Sequence, residues 1–179
     1  QLPEPKFALN IGSHPREEQI RLMREKIETI FRQEKPDLVI VQGDTNSTLA
    51  GAQAASVLSI PLMHIEAGCR SFNLQMPEEM NRIEVDRLAD YLIVPDLVAL
   101  QNLQKEGYCS EKIQNCGSTA YDAVQRNKQF ADERTILQRL DLQRGRFVLV
   151  TIHRAENTEN PNLINIMDAL RRLAEKVTL

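Results

Sequence analysis

A chain of 179 residues with 42% hydrophobic composition is long enough for one ordinary domain or parts of two, and apolar enough to exclude intrinsic disorder as its main state. Its 22 Lys and Arg are scattered among 25 Asp and Glu, for a formal net charge of -3. No basic surface therefore points to nucleic acid, and an anionic ligand must be met locally. Cys69, Cys109 and Cys116 include no C-x-x-C pair, which argues against a disulfide framework and a structural zinc and makes a reducing, cytoplasmic setting the expectation.

No apolar run approaches the roughly 20 residues that span a bilayer, and no signal-peptide pattern opens the chain, so no membrane is expected. The opening QLPEPKFALNIGSHPREE reads as an extended lead-in without the strand and helix that begin an α/β unit, so the chain is expected to start in mid-fold. Over residues 17–34, Ile20, Met23, Ile27, Ile30 and Phe31 recur at helical spacing, and Pro36 marks the stop. Residues 37–42 are a short β-branched run without alternation, as for a parallel strand covered on both faces.

A helix over 46–58 and a second strand over 62–65 complete a tight βαβ unit. Right-handed crossover makes its strands parallel and adjacent, so Asp44 and Glu66, just past their carboxyl ends, are expected to face one crevice. That is where open α/β sheets bind ligands. Pro77 suits the first turn of a helix that carries Glu78 and Glu79 at the positive end of its dipole.

A buried strand over 91–94, a helix over 97–106 and a short strand over 113–116 finish one α/β unit at Gly117. Helical stretches over 118–130 and 133–140 lead to a strand over 147–152 and a last helix over 162–176. A βα unit without further partners cannot bury both its faces.

Four constellations carry chemistry, each with a plainer reading beside it. Gly43, Asp44 and Thr45 place polar groups at a helix N-terminus, which suits a polar ligand and equally suits an ordinary N-cap. Glu66 closes an apolar strand, where it fits proton transfer or a structural ion pair with Arg70 or Arg82. Glu78 and Arg82, four apart on one helix, make either a surface bridge or part of the crevice. His153 and Arg154, supported by Glu156 and Asn157 past the end of the strand over 147–152, suit a diphosphate. His14 and His64 read as structural.

The sequence holds no GxGxxG, Walker loop, GxSxG elbow or HExxH, which argues against dinucleotide, P-loop, hydrolase and zincin chemistry. Asp44, Glu66 and Glu78 lack metal-type spacing, so no metal is expected.

In order, QGDTNSTLAGA, HIEAGCRS, MPEEMNR, CGSTAYDAV and TIHRAEN closely resemble the non-hydrolysing UDP-N-acetylglucosamine 2-epimerase family, from about residue 10 to the end. The resemblance implies GT-B architecture: two Rossmann-like domains with the active site between them, needing neither metal nor nicotinamide cofactor. It implies interconversion of UDP-N-acetylglucosamine and UDP-N-acetylmannosamine. The proton at C2 is removed with anti elimination of UDP, and UDP is then re-added to a 2-acetamidoglucal intermediate.

By motif, Asp44, Glu66 and Glu78 match the family's catalytic carboxylates, His153 its histidine at the UDP, and Arg82 an arginine of the acidic helix. Thr45, Arg70, Arg154 and Asn157 are the accompanying candidates for substrate binding. The family also implies a UDP-sugar ligand and a homodimeric full-length protein.

Family members have a strand and helix before this segment and a longer second domain after it. The loop between Glu66 and Pro77 is short, and Cys69 stands where an aliphatic residue is common. The chain is therefore expected to be a fragment lacking both ends and nearly inactive alone, with residues 1–117 the second half of one domain and 118–179 the start of a UDP-binding one. Other readings are an epimerase of another UDP-2-acetamido sugar, such as a diacetamido uronate, or a non-catalytic nucleotide-sugar-binding remnant. A hydrolysing relative fits the GDTNST and HRAEN forms less well.

Overall fold

Four short strands lie side by side in chain order: β1 (Val39–Gln42), β2 (Leu62–Ile65), β3 (Tyr91–Val94) and β4 (Ile113–Asn115). This computed structural model describes residues 3–132, 135–153 and 155–178. All three strand pairings are parallel, and β1 meets β2 in the register Val39 to Leu62 through Gln42 to Ile65. The expected βαβ unit is present, with both carboxyl ends on one edge.

Helix α1 (Arg16–Glu34) buries Ile20 and Met23 and ends at Lys35 in the left-handed region, ahead of Pro36. Helix α2 (Asn46–Val57) carries no charge, and its Ala50, Ala52, Ala54 and Ala55 are fully buried. Such small side chains bring its backbone close to the sheet: a Cβ on Gly51 would lie 3.3 Å from Val41 Cγ1. Helices α3 (Pro77–Leu88) and α4 (Leu97–Lys105) complete this layer, and Asp96 caps α4 by accepting from Ala99 N at 2.8 Å. Burying Leu49, Leu62, Leu92 and Leu103 stabilises the core by about 2 kcal/mol each.

The strand residues depart from one expectation. Val39 and Val41 are buried while Ile40 is 57% exposed, so β1 alternates rather than being covered on both faces. The register shows why: Val41, His64 and Leu92 share the face that the helices cover, and Ile40, Met63 and Tyr91 share the other.

The chain forms two compact units, Gln1–Ala123 and Val124–Leu179, and helix α5 (Thr119–Asp132) runs from one into the other. The second unit also holds two single turns, α6 (Ile136–Arg139) and α7 (Ala155–Thr158), and helix α8 (Asn162–Ala174).

The strand expected over 147–152 is not formed. Among the described residues one parallel bridge joins Phe147 to Thr178, with Val148 N donating to Thr178 O at 2.8 Å, and Leu149 is 87% exposed. A strand needs a row of partners for its backbone groups, and Thr178 supplies only a single point.

Candidate active site

At the end of β1, Gly43 takes φ +71°, and its N–H donates to Ile65 O at 3.0 Å, carrying the β1–β2 pairing one residue further. Thr45 is the N-cap of α2, accepting from Thr48 N at 3.3 Å, while Thr48 Oγ1 donates to Gln42 O at 2.8 Å. Asp44 is thereby fixed between strand and helix. Asn81 of α3 donates to its backbone oxygen at 2.8 Å.

Arg82 of α3 reaches Asp44 Oδ2 at 2.5 Å and Glu79 Oε2 at 3.0 Å. The expected bridge between Glu78 and Arg82 is replaced by this i,i+3 contact with Glu79. Burial works against the Arg82 charge, but Glu79 and Asp44 outweigh it and hold the guanidinium pKa above its ordinary value.

Burial likewise pushes the Glu79 carboxyl up. It is outweighed by Ser71 N and Phe72 N, both at 2.9 Å, by Ser71 Oγ and by Arg82, which together hold the pKa below the ordinary carboxylate value. Glu79 is a buried clamp on the loop that follows Glu66. Glu78, one residue earlier, is half-buried and has no hydrogen-bond or ion-pair partner among the described residues. It lines a cleft of about 420 Å³ with Arg16, Asp44, Thr45, Asn46 and Asn81.

Glu66 has φ +71°, a conformation that costs a non-glycine residue about 1–2 kcal/mol. Such strain persists where the surroundings impose it, often at functional positions. Its Oε1 accepts from Gln42 Nε2 at 2.9 Å and from Thr119 Oγ1 at 3.1 Å, so neither Arg70 nor Arg82 is its partner.

Arg70 differs most from expectation as a substrate-binding cation. Its side chain is 1% exposed and binds Asp86 at 2.8 Å, both oxygens of Glu106 at 2.8 and 2.7 Å, and Cys69 O at 2.9 Å. Burial opposes its charge, yet Glu106 and Asp86 prevail and raise its pKa. No donor is turned outward to a ligand.

The remaining candidates belong to the second unit. His153 is exposed and Asn157 is half-buried within α7, while Arg154 lies outside the described residues. Within the first unit the structure thus brings Asp44, Thr45 and Glu78 to one cleft, attaches Arg82 to Asp44, and sets Glu66 on the adjoining strand tip.

Gln42, Thr119, Asn81 and Asp86, not singled out from the sequence, complete the site, together with Glu79, which the sequence marks only as an acid of the first helical turn. Gln42, Thr119, Asn81 and Glu79 sit inside the quoted motifs, so position offered a signal there. Asp86 lies outside every quoted motif, four residues beyond Arg82 on the same helix. Among the described residues no group of three or more His, Cys, Asp or Glu could hold a metal ion, and no helix is long and apolar enough to cross a membrane.

A four-stranded parallel sheet with helices packed on it defines a Rossmann-like α/β protein, the GT-B-type fold of the solved UDP-GlcNAc 2-epimerases it matches. The family model described as UDP-N-acetylglucosamine 2-epimerase matches residues 1–179, and the chain belongs to that family.

It is 43% identical over 179 residues to the UDP-N-acetylglucosamine 2-epimerase of Methanocaldococcus jannaschii, covering 97% of this chain and 49% of that protein. It is 45% identical over 175 residues to the UDP-2,3-diacetamido-2,3-dideoxy-D-glucuronate 2-epimerase of Pseudomonas aeruginosa, covering 96% and 48%. The crystal structure of the M. jannaschii UDP-GlcNAc 2-epimerase in complex with UDP-GlcNAc and UDP matches with a TM-score of 0.88 at 42% identity, over 97% of this chain and 49% of that one. The chain therefore spans about half the length of these relatives.

Proposed function

We propose that this chain supplies the acid–base half of a non-hydrolysing UDP-N-acetylglucosamine 2-epimerase. The observation that carries the reading is the convergence of Asp44 and Glu78 on one cleft, with Glu66 on the neighbouring strand tip. Epimerisation removes the C2 proton from one face and returns it to the other, so it needs more than one acid or base. Carboxylates carried by β1, β2 and α3 supply them from separate directions.

As the bond from C1 to the diphosphate oxygen breaks, negative charge develops on UDP, and the carbon–carbon double bond of 2-acetamidoglucal forms between C1 and C2. On this reading His153 and Arg154 stabilise that charge, Arg82 orients Asp44, and Thr45 and Asn157 hold the substrate. The reaction uses neither metal nor nicotinamide. Residues 1–117 belong to the first domain, residues 118–179 begin the UDP-binding one, and the full-length protein works as a cytoplasmic homodimer.

The 45% identity to the P. aeruginosa diacetamido-uronate epimerase favours a second reading, a different UDP-2-acetamido sugar handled by the same carboxylates. Proton NMR of the full-length protein with each UDP-sugar in D₂O separates the two: the true substrate yields its 2-epimer with deuterium at C2. Free N-acetylmannosamine would mark a hydrolysing enzyme. UDP binding in a calorimeter without turnover of either sugar would mark a non-catalytic binder.

A further inference from the structure

His64 was read from the sequence as structural, and its surroundings give it a more specific task. The imidazole is 0% exposed, with Nε2 2.9 Å from Gly43 O and Nδ1 2.6 Å from Asp86 Oδ1. A carbonyl oxygen only accepts, so Nε2 carries a hydrogen. A neutral ring would then turn a bare Nδ1 lone pair on Asp86 Oδ1, so one more proton lies between those two atoms.

Arg70 at 2.8 Å and Gly68 N at 3.1 Å both donate to Asp86 Oδ2, which favours the carboxylate and leaves that proton on His64. The buried pair is thus an imidazolium and a carboxylate, with the Arg70–Glu106 ion pair beside it. Tyr108 and Cys69 are further titratable groups near Asp86.

The pair's outer contacts fall on two particular peptide groups. Gly43 O immediately precedes Asp44, and Gly68 N lies two residues after Glu66. Asp86 itself stands on α3, the helix that presents Glu78 and Arg82. We propose that His64 and Asp86 are positioning residues: one buried ion pair that fixes both strand tips, and hence Asp44 and Glu66, relative to α3. The inference rests on the epimerase reading for its catalytic consequence, and displacement of a reacting group by about 1 Å can lower turnover about 100-fold.

Full-length His64→Leu, Asp86→Ala and Asp86→Asn proteins test it. Asparagine can keep the contacts, its amide N–H meeting Nδ1 of a neutral His64 while its oxygen accepts from Gly68 and Arg70. His64→Leu and Asp86→Ala are expected to lower kcat about 100-fold with UDP affinity, measured by calorimetry, nearly unchanged. Asp86→Asn is expected to recover at least about tenfold over Asp86→Ala, a step of about 1.4 kcal/mol in the barrier.

Undiminished kcat in a folded His64→Leu or Asp86→Ala protein overturns the proposal, as does UDP affinity falling in step with kcat. A second readout needs no turnover: ¹⁵N-histidine NMR at neutral pH should show one buried ring with both nitrogens protonated, and an unprotonated Nδ1 overturns the pair. If wild-type protein turns over neither UDP-sugar, the epimerase reading fails while the NMR result still decides the pair.

Discussion

Gly68 offers the sharpest energetic test of how the site is built. It has φ +75°, and a Cβ there would lie 2.4 Å from Ala99 O and 2.9 Å from Leu103 Cγ. The first of these atoms is backbone of α4, so relief requires the helix to move. Gly68→Ala therefore combines left-handed strain of about 1–2 kcal/mol with overpacking of about 1–3 kcal/mol, or about 2–5 kcal/mol in all.

Gly107 isolates the first contribution. It has φ +85° with no heavy atom within 4 Å of the added carbon, so Gly107→Ala should lose only the strain. Urea unfolding of both full-length variants beside wild type gives the packing contribution by difference, about 1–3 kcal/mol. A Gly68→Ala midpoint no lower than that of Gly107→Ala would refute the reasoning. Turnover should fall as well, because Gly68 N bonds Asp86 and Gly68 O accepts from Asn102 at 3.0 Å, two residues beyond Glu66.

Other residues give independent checks. The Glu79 carboxyl is held below its ordinary value of 4.5, so its stabilisation is present above that pH and fades as pH falls below it. Glu79→Gln should then lose about 3 kcal/mol at pH 7, with the gap narrowing near pH 3 in urea titrations; an equal gap at both would count against the clamp. Asp44→Asn and Glu66→Gln should each lower kcat about 100-fold or more with UDP affinity retained in calorimetry, and wild-type turnover in either would remove that carboxylate from the mechanism. Arg82→Met leaves Asp44 without its cation, so kcat should fall while near-ultraviolet circular dichroism still reports native packing. Thr119→Val removes one of two donors to Glu66 and should lower kcat by about 3–10-fold, the size of one hydrogen bond, while KM stays within twofold.

The sequence made the α/β order legible because each element carried two agreeing signals. Residues 62–65 are apolar, follow Pro61 and form β2 over that same span, and Pro77 opens α3 at the expected residue. The strand over 147–152 carried the same apolar signal and failed, because strand formation depends on neighbours that a local run does not encode.

Asp44 and Glu66 were legible as strand-tip acids and Glu78 as an acid of a first helical turn, and their partners were not. The pairing of Arg82 with Asp44 and Glu79, rather than with Glu78, depends on how α3 lies against β1, which helical spacing alone does not determine. In sequence Arg70 reads as a cation for Glu66 or the substrate and Asp86 is given no role, and only burial shows that they complete each other. The left-handed backbone at Glu66 leaves no trace in a glutamate's identity.

The central claim is that carboxylates on β1, β2 and α3 move a proton at C2 of a UDP-sugar. Its most direct measurement is proton NMR of the full-length protein with UDP-N-acetylglucosamine in D₂O, run beside Glu66→Gln. The account predicts UDP-N-acetylmannosamine carrying deuterium at C2 for wild type, and its loss in a folded variant that still binds UDP. An epimer that keeps its original C2 proton, or undiminished exchange in Glu66→Gln, would contradict it.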